Sequence, residues 1–104
     1  MTSETDLTWT ALTGFERDLL QAAAALEHDG EPTSGATLRR HLERHGYGAV
    51  SHGRVYQNLD SLEAHGALER APVDGRTYHH RPTERGRRVA RDHLDAATTA
   101  FARS

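Results

Sequence analysis

Apolar side chains recur along the chain in separate one-sided stripes. Leu12, Phe15, Leu19, Ala22 or Ala23, and Leu26 follow one another at spacings of three and four, the period of a helix with one buried face. Thr13 and Glu16 stand at the start of that stripe as a capping box, hydroxyl to the third helical amide and carboxylate back to the cap. A first helix is predicted over residues 13–28, closed by Asp29-Gly30-Glu31-Pro32. Thr33 and Ser34 offer the next cap and Leu38 and Leu42 lie four apart, giving a short second helix over 35–45 that Gly46 and Gly48 stop. Ser51 caps a third, over 52–65, whose Val55, Leu59 and Leu62 face inward; Gly66 stands where a left-handed residue ends it.

The pattern then changes period. Leu68 to Val73, Asp74-Gly75 and Arg76 to Arg81 read as a hairpin on a two-residue turn, because Asp-Gly accepts the positive φ such turns require. Alternation would turn Tyr78 and His80 toward the core and His79 and Arg81 outward. Thr83 caps a last helix over 84–102, with Ala90, Leu94, Ala97 and Phe101 at spacings of four, three and four. On so small a domain this stripe has little core left to cover, so these four residues are expected to meet a second copy of the chain.

Helix, short helix, helix, hairpin is the order of a winged helix-turn-helix. The expected fold is therefore mainly α with a small β-hairpin wing: a flexible segment 1–10, a DNA-binding unit 11–82, and a C-terminal dimerisation helix 83–104. The third helix carries the matching chemistry. With Val55, Leu59 and Leu62 turned inward, Ser51, His52, Arg54, Gln57, Asn58 and Asp60 surround its N-terminal half. Arg suits the guanine edge, and Gln or Asn the adenine edge. Gly53 costs a helix roughly 1 kcal/mol relative to Ala, which makes sense if the backbone there approaches something closely.

Charge sharpens this picture. All 13 basic residues are Arg, and the formal net charge is −2, yet residues 1–32 carry −6, residues 33–91 carry +5 and residues 92–104 carry −1. A basic centre between acidic ends points to one surface that meets a polyanion. Arg85, Arg87, Arg88 and Arg91 crowd the start of the last helix, the end where the macrodipole disfavours cations. A nearby phosphate would offset that, with Arg76 at the hairpin tip extending the same surface; the plainer reading is a solvated Arg face. The absence of Lys beside abundant Ala, Gly and Arg fits a GC-rich, salt-loving genome.

The sequence also excludes classes. With 104 residues there is room for one domain, and no apolar run approaches a membrane span. The acidic start Met1 to Asp6 lacks a signal peptide's basic and apolar regions, so a cytoplasmic location is expected. There is no Cys, hence no thiolate nucleophile, disulfide or Cys-based zinc site. His41 and His45 are one helical turn apart, but without Cys or a well-spaced acidic partner no metal or other cofactor is expected. No Ser-His-Asp order or glycine-rich phosphate loop can be assembled, so no catalytic residues are assigned.

The stretches Leu12 to Leu20, Gly53 to Leu62 with Gly66-Ala67-Leu68, Arg76-Thr77-Tyr78, and Thr83 to Arg88 together resemble the PadR-like winged-helix transcription regulators, of haloarchaeal type. The resemblance spans residues 12–91. It implies a homodimeric regulator of double-stranded DNA whose Tyr56 sits on the recognition helix beside the phosphates and whose final helix forms the dimer. The expected DNA-binding set is Ser51, His52, Gly53, Arg54, Tyr56, Gln57, Asn58, Arg76, Arg85 and Arg88, acting as a repressor on a palindromic operator. One departure stands out: Pro82 occupies a position usually apolar in such proteins, and lacking an amide it is expected to end the second strand one residue early. The competing reading is a winged-helix docking module that does not touch DNA, which would expose apolar residues on helix three. Trp9 reads as a packing or dimer residue, and no small-molecule effector is identifiable.

Overall fold

The computed structural model describes residues 7–103. A 3-10 turn, Trp9–Ala11, precedes helices α1 (Gly14–His28), α2 (Gly35–Leu42) and α3 (His52–Ala64); strands β1 (Leu68–Pro72) and β2 (Tyr78–Pro82) follow, then helix α4 (Glu84–Ala102). Every expected cap forms. The Thr13 hydroxyl accepts from the Glu16 amide at 3.1 Å while a Glu16 oxygen accepts from the Thr13 amide at 2.7 Å. Ser34, Ser51 and Thr83 each accept from the amide three residues on. Each such bond is worth about 1 kcal/mol.

The core lies among α1, α2 and α3. Leu19, Leu38, Val55, Leu59 and Leu62 are fully buried there, as their stripes require. Glu16 is buried with them, and its second carboxylate oxygen accepts from the Ser61 hydroxyl, so the cap of α1 is also a strut to α3. Helix α2 is shorter than expected: a widened turn, Glu43–Tyr47, follows it, and His45 and Gly46 leave helical dihedrals, Gly46 at φ 112°. His45 donates from Nδ1 to the His41 carbonyl at 2.7 Å, and the two rings stack.

The hairpin departs from expectation in three respects. The connection spans residues 73–77 rather than two, with the Val73 amide donating to Thr77 O at 2.8 Å. Asp74 holds it by accepting from the amides of Arg76 and Thr77, both at 2.9 Å, and Gly75 is not at positive φ. The short carboxylate satisfies the turn amides, so the loop does not need the mirror-image turn. Second, β2 does not stop early: Pro82 pairs with Leu68 at the end of the ladder, and the next amide, Thr83, donates to Ala67 O at 3.0 Å. The missing amide falls where the chain is already leaving the ladder. Third, Tyr78 is 45% exposed although it shares a face with buried His80, because it lies beyond the edge of the helical core. The His80 amide donates in turn to Thr33 O at 3.0 Å, which ties β2 to the segment before α2.

Helix α4 leaves from the root of the hairpin. Gly66 takes the left-handed conformation at φ 76°, its carbonyl accepts from the Thr83 hydroxyl at 2.6 Å, and a Cβ on Gly86 would stand 2.3 Å from Ala67 O. The end of α3, the start of β1 and the start of α4 are thereby locked together. In the segment before α1, Leu7 and Trp9 pack against the core: Trp9 stacks on His93 of α4 at 4.9 Å, and its carbonyl accepts from Arg17 Nε at 2.9 Å. Residues 1–6 lie outside the described residues. Farther along α4, Leu94 is 62% and Phe101 79% exposed, while Ala90 and Ala97 are half-buried. Among the described residues no helix is long and apolar enough to cross a membrane. Three helices, a two-stranded wing and a terminal helix make a winged helix-turn-helix.

Candidate nucleic-acid interface

The N-terminal half of α3 projects polar groups because its apolar positions are spent on the core. Ser51, His52, Gly53, Arg54, Tyr56 and Gln57 are exposed and Asn58 is half-buried, whereas Val55 and Leu59 between them are buried. The Ser51 hydroxyl is engaged as the cap. Asn58 donates from Nδ2 to the Arg54 carbonyl at 2.8 Å, which leaves its side-chain oxygen free of that bond. A Cβ on Gly53 would meet nothing within 4 Å. The fold therefore does not demand that glycine.

Arg54 does not stand straight out from α3. Its guanidinium lies over the Phe15 ring at 4.1 Å, with Tyr47 at 5.8 Å, and among the described residues it completes no side-chain hydrogen bond or ion pair. Tyr47 donates its hydroxyl to Asp18. That bond to a carboxylate, with burial and the Asp18 charge, holds the phenol above its ordinary pKa, so Tyr47 stays a donor.

Tyr56 is 37% exposed, its ring laid on the first residue of α2 and edge-on to His80 at 6.4 Å. Between this ring, the start of α2 and the inner face of the wing opens a cavity of ≈ 250 Å³, lined by Ser34, Tyr56, Asp60, Arg70, Arg76 and His80 among others. Arg76 is exposed at the wing tip. Arg70, not anticipated from the sequence, stacks on Tyr78 at 4.8 Å. Its signal was present in the two-residue alternation of β1, which puts it on the face of Leu68 and opposite His80.

Beneath the cavity, His80 is buried with Nδ1 3.4 Å from Glu63 Oε2, and Arg70 Nε lies 3.9 Å from the same oxygen. Burial holds the imidazole below its ordinary pKa against the pull of Glu63. Burial thus favours the neutral imidazole over the charged form.

The arginines of α4 divide differently from the sequence reading. Arg85 donates to the His65 carbonyl at 3.3 Å, Arg87 pairs with Glu27, and Arg91 pairs with Glu84 at 3.0 Å. Protein groups thus account for three of the four cations, and only Arg88 has no such partner among the described residues. Arg85 also sits at the far end of α3, about 20 Å along the axis from Ser51 at 1.5 Å per residue. Tyr56 of α3 and Arg76 of the wing line one cavity, and Arg85 lies at the opposite end of α3.

Against known proteins, residues 24–92 match the model of the transcriptional regulator PadR-like family. Among solved structures, the complex structure of hsRosR-S1 superposes with a TM-score of 0.79 at 28% identity, covering 99% of this chain and 83% of that one. The complex structure of hsRosR-S4 gives 0.77 at 31% identity over 86% and 74% of the two chains. RosR of H. salinarum grown from NaBr gives 0.75 at 31%, over 86% and 77%. No curated protein matches the chain.

Proposed function

Since the chain belongs to the transcriptional regulator PadR-like family, we propose that it is a sequence-specific DNA-binding repressor that acts in the cytoplasm as a homodimer on a palindromic operator. The carrying observation is the exposed polar half of α3 beside the Arg-bearing wing, with the Arg54 fork free of hydrogen-bond and ion-pair partners among the described residues. In this reading α3 enters the major groove, His52, Arg54, Gln57 and Asn58 meet base edges, and the backbone of Gly53 passes close to the duplex. Tyr56 and Arg76 face the phosphates, and Arg70 joins them at the mouth of the cavity. Arg85 is withdrawn from the set because the His65 carbonyl holds it; Arg88 remains as a peripheral phosphate contact.

Leu94 and Phe101, too exposed for a monomer's helix, supply the dimer seam with Ala90 and Ala97. A protein-docking module would instead place apolar groups on α3, and that face carries His, Arg, Gln and Asn. Selection of bound fragments from a random DNA pool tests the proposal. Recovery of an inverted repeat is expected, and a pool that never enriches overturns it.

A further inference from the structure

We infer that Phe15, from the first turn of α1, is a specificity-positioning residue: it holds the Arg54 guanidinium flat so that its donor fork is presented ready-made to a base edge. This rests on the reading of Arg54 as a base contact. Three observations carry it. The guanidinium carbon of Arg54 lies over the Phe15 ring, 4.1 Å from its centroid, well inside the reach of a cation–π contact. Tyr47 meets Phe15 edge-on at 5.2 Å and an angle of 85°, and is itself fixed by its bond to Asp18, so the platform is braced rather than loose. The Arg54 side chain has no hydrogen-bond or ion-pair partner among the described residues, and the Arg54 carbonyl is tied to Asn58.

Stacking occupies the face of a guanidinium, whereas hydrogen bonding uses its edge, so the two can operate together. An unsupported Arg must freeze several side-chain torsions before it can grip guanine O6 and N7; an Arg already laid on a ring gives up less freedom on binding. The benefit is confined to sequences that offer the matching acceptor pair. Phe15 should therefore act on discrimination and leave general DNA affinity alone. A residue of the first helix, with no place in the groove, thereby becomes part of the readout.

The test measures affinities of the full-length protein for its selected operator and for operators altered at each base pair, in wild type, Arg54→Ala, Phe15→Leu, Phe15→Tyr and the Arg54→Ala/Phe15→Leu double variant. Arg54→Ala is expected to erase preference at one base pair per half-site; if it does not, the base-contact reading fails, independently of Phe15. Given that loss, Phe15→Leu should reduce discrimination at the same base pair about three- to fivefold, Phe15→Tyr should preserve it, and the double variant should match Arg54→Ala alone. Uniform weakening across all operators, or an undiminished Phe15→Leu effect in the Arg54→Ala background, overturns the inference. Should Phe15→Leu fail to fold, nitrogen relaxation of the Arg54 Nε–H in the unbound wild type decides it. That group is expected to be far more ordered than Arg88, and equal mobility of the two overturns the proposal.

Discussion

The Tyr56 ring rests so closely on Gly35 that a Cβ at position 35 would stand 2.3 Å from its outer carbon and hydroxyl. A glycine at the start of α2 thus fixes the pose of an aromatic on α3, and the two helices share one joint. Gly35→Ala is expected to expel the ring and destabilise the fold by about 1–3 kcal/mol, the usual cost of overpacking. In a Tyr56→Ala background the same change should cost little, since the obstacle is gone. Denaturant unfolding of the four proteins reads this coupling directly.

Stability should fall with acid in two steps. Burial depresses the His80 pKa below 6.5, so between the two values the unfolded chain binds more protons than the folded one. The contribution is complete above pH 6.5 and is lost as pH falls through the depressed value. For Glu16 burial pushes upward, but the bonds from Ser61 and Thr13 prevail and the carboxyl lies below 4.5; its contribution is lost only as pH falls below that point. Urea midpoints at pH 7.5 and 5.5 should therefore differ in wild type, and His80→Phe should reduce that difference, the remainder coming from His41, whose pKa is also depressed, first by burial and then by the His45 and Arg44 charges.

Arg85→Ala is expected to lower stability by about 1 kcal/mol, the value of a typical hydrogen bond, and to leave operator affinity unchanged. Arg76→Ala should do the reverse, weakening every sequence alike and reducing the log-log salt slope by about 2 for a dimer with one contact per half-site. Titration of affinity against potassium chloride for both variants checks the division. An equal loss of slope in the two would return Arg85 to the interface.

Replacing Leu94 and Phe101 together with Glu is expected to yield folded monomers in sedimentation and to abolish tight operator binding. Both side chains are already exposed, so the change costs the isolated fold little. A variant that remains dimeric would move the seam to the Trp9 end of α4.

What could be read in advance was what neighbours in sequence decide. The capping box at Thr13, the inward trio on α3 and the left-handed Gly66 each depend on residues within one or two turns, and each formed. What escaped the reading depends on distant partners or on side chains competing with the main chain. Arg87 finds Glu27 sixty residues away, so the Arg cluster of α4 looked like an unmet need for phosphate. Asp74 accepts two amides of its own loop, and the Asp-Gly signal gave way to it. The stacking of Arg54 on Phe15 joins two helices thirty-nine positions apart, and no periodicity within either could reveal it.

The clasp of Thr83 on Gly66, backed by the fit of Gly86 against the Ala67 carbonyl, sets the direction in which α4 leaves α3. In a dimer closed along α4, that angle makes the root of the wing a protractor: it fixes how far apart, and at what rotation about the duplex, the two reading heads arrive. Half-site phasing would then be encoded at the C-terminal end of α3, about 12 Å along its axis from Asn58. Substitutions at Gly66, Thr83 or Gly86 would then re-aim the two halves of such a dimer without touching any side chain of α3.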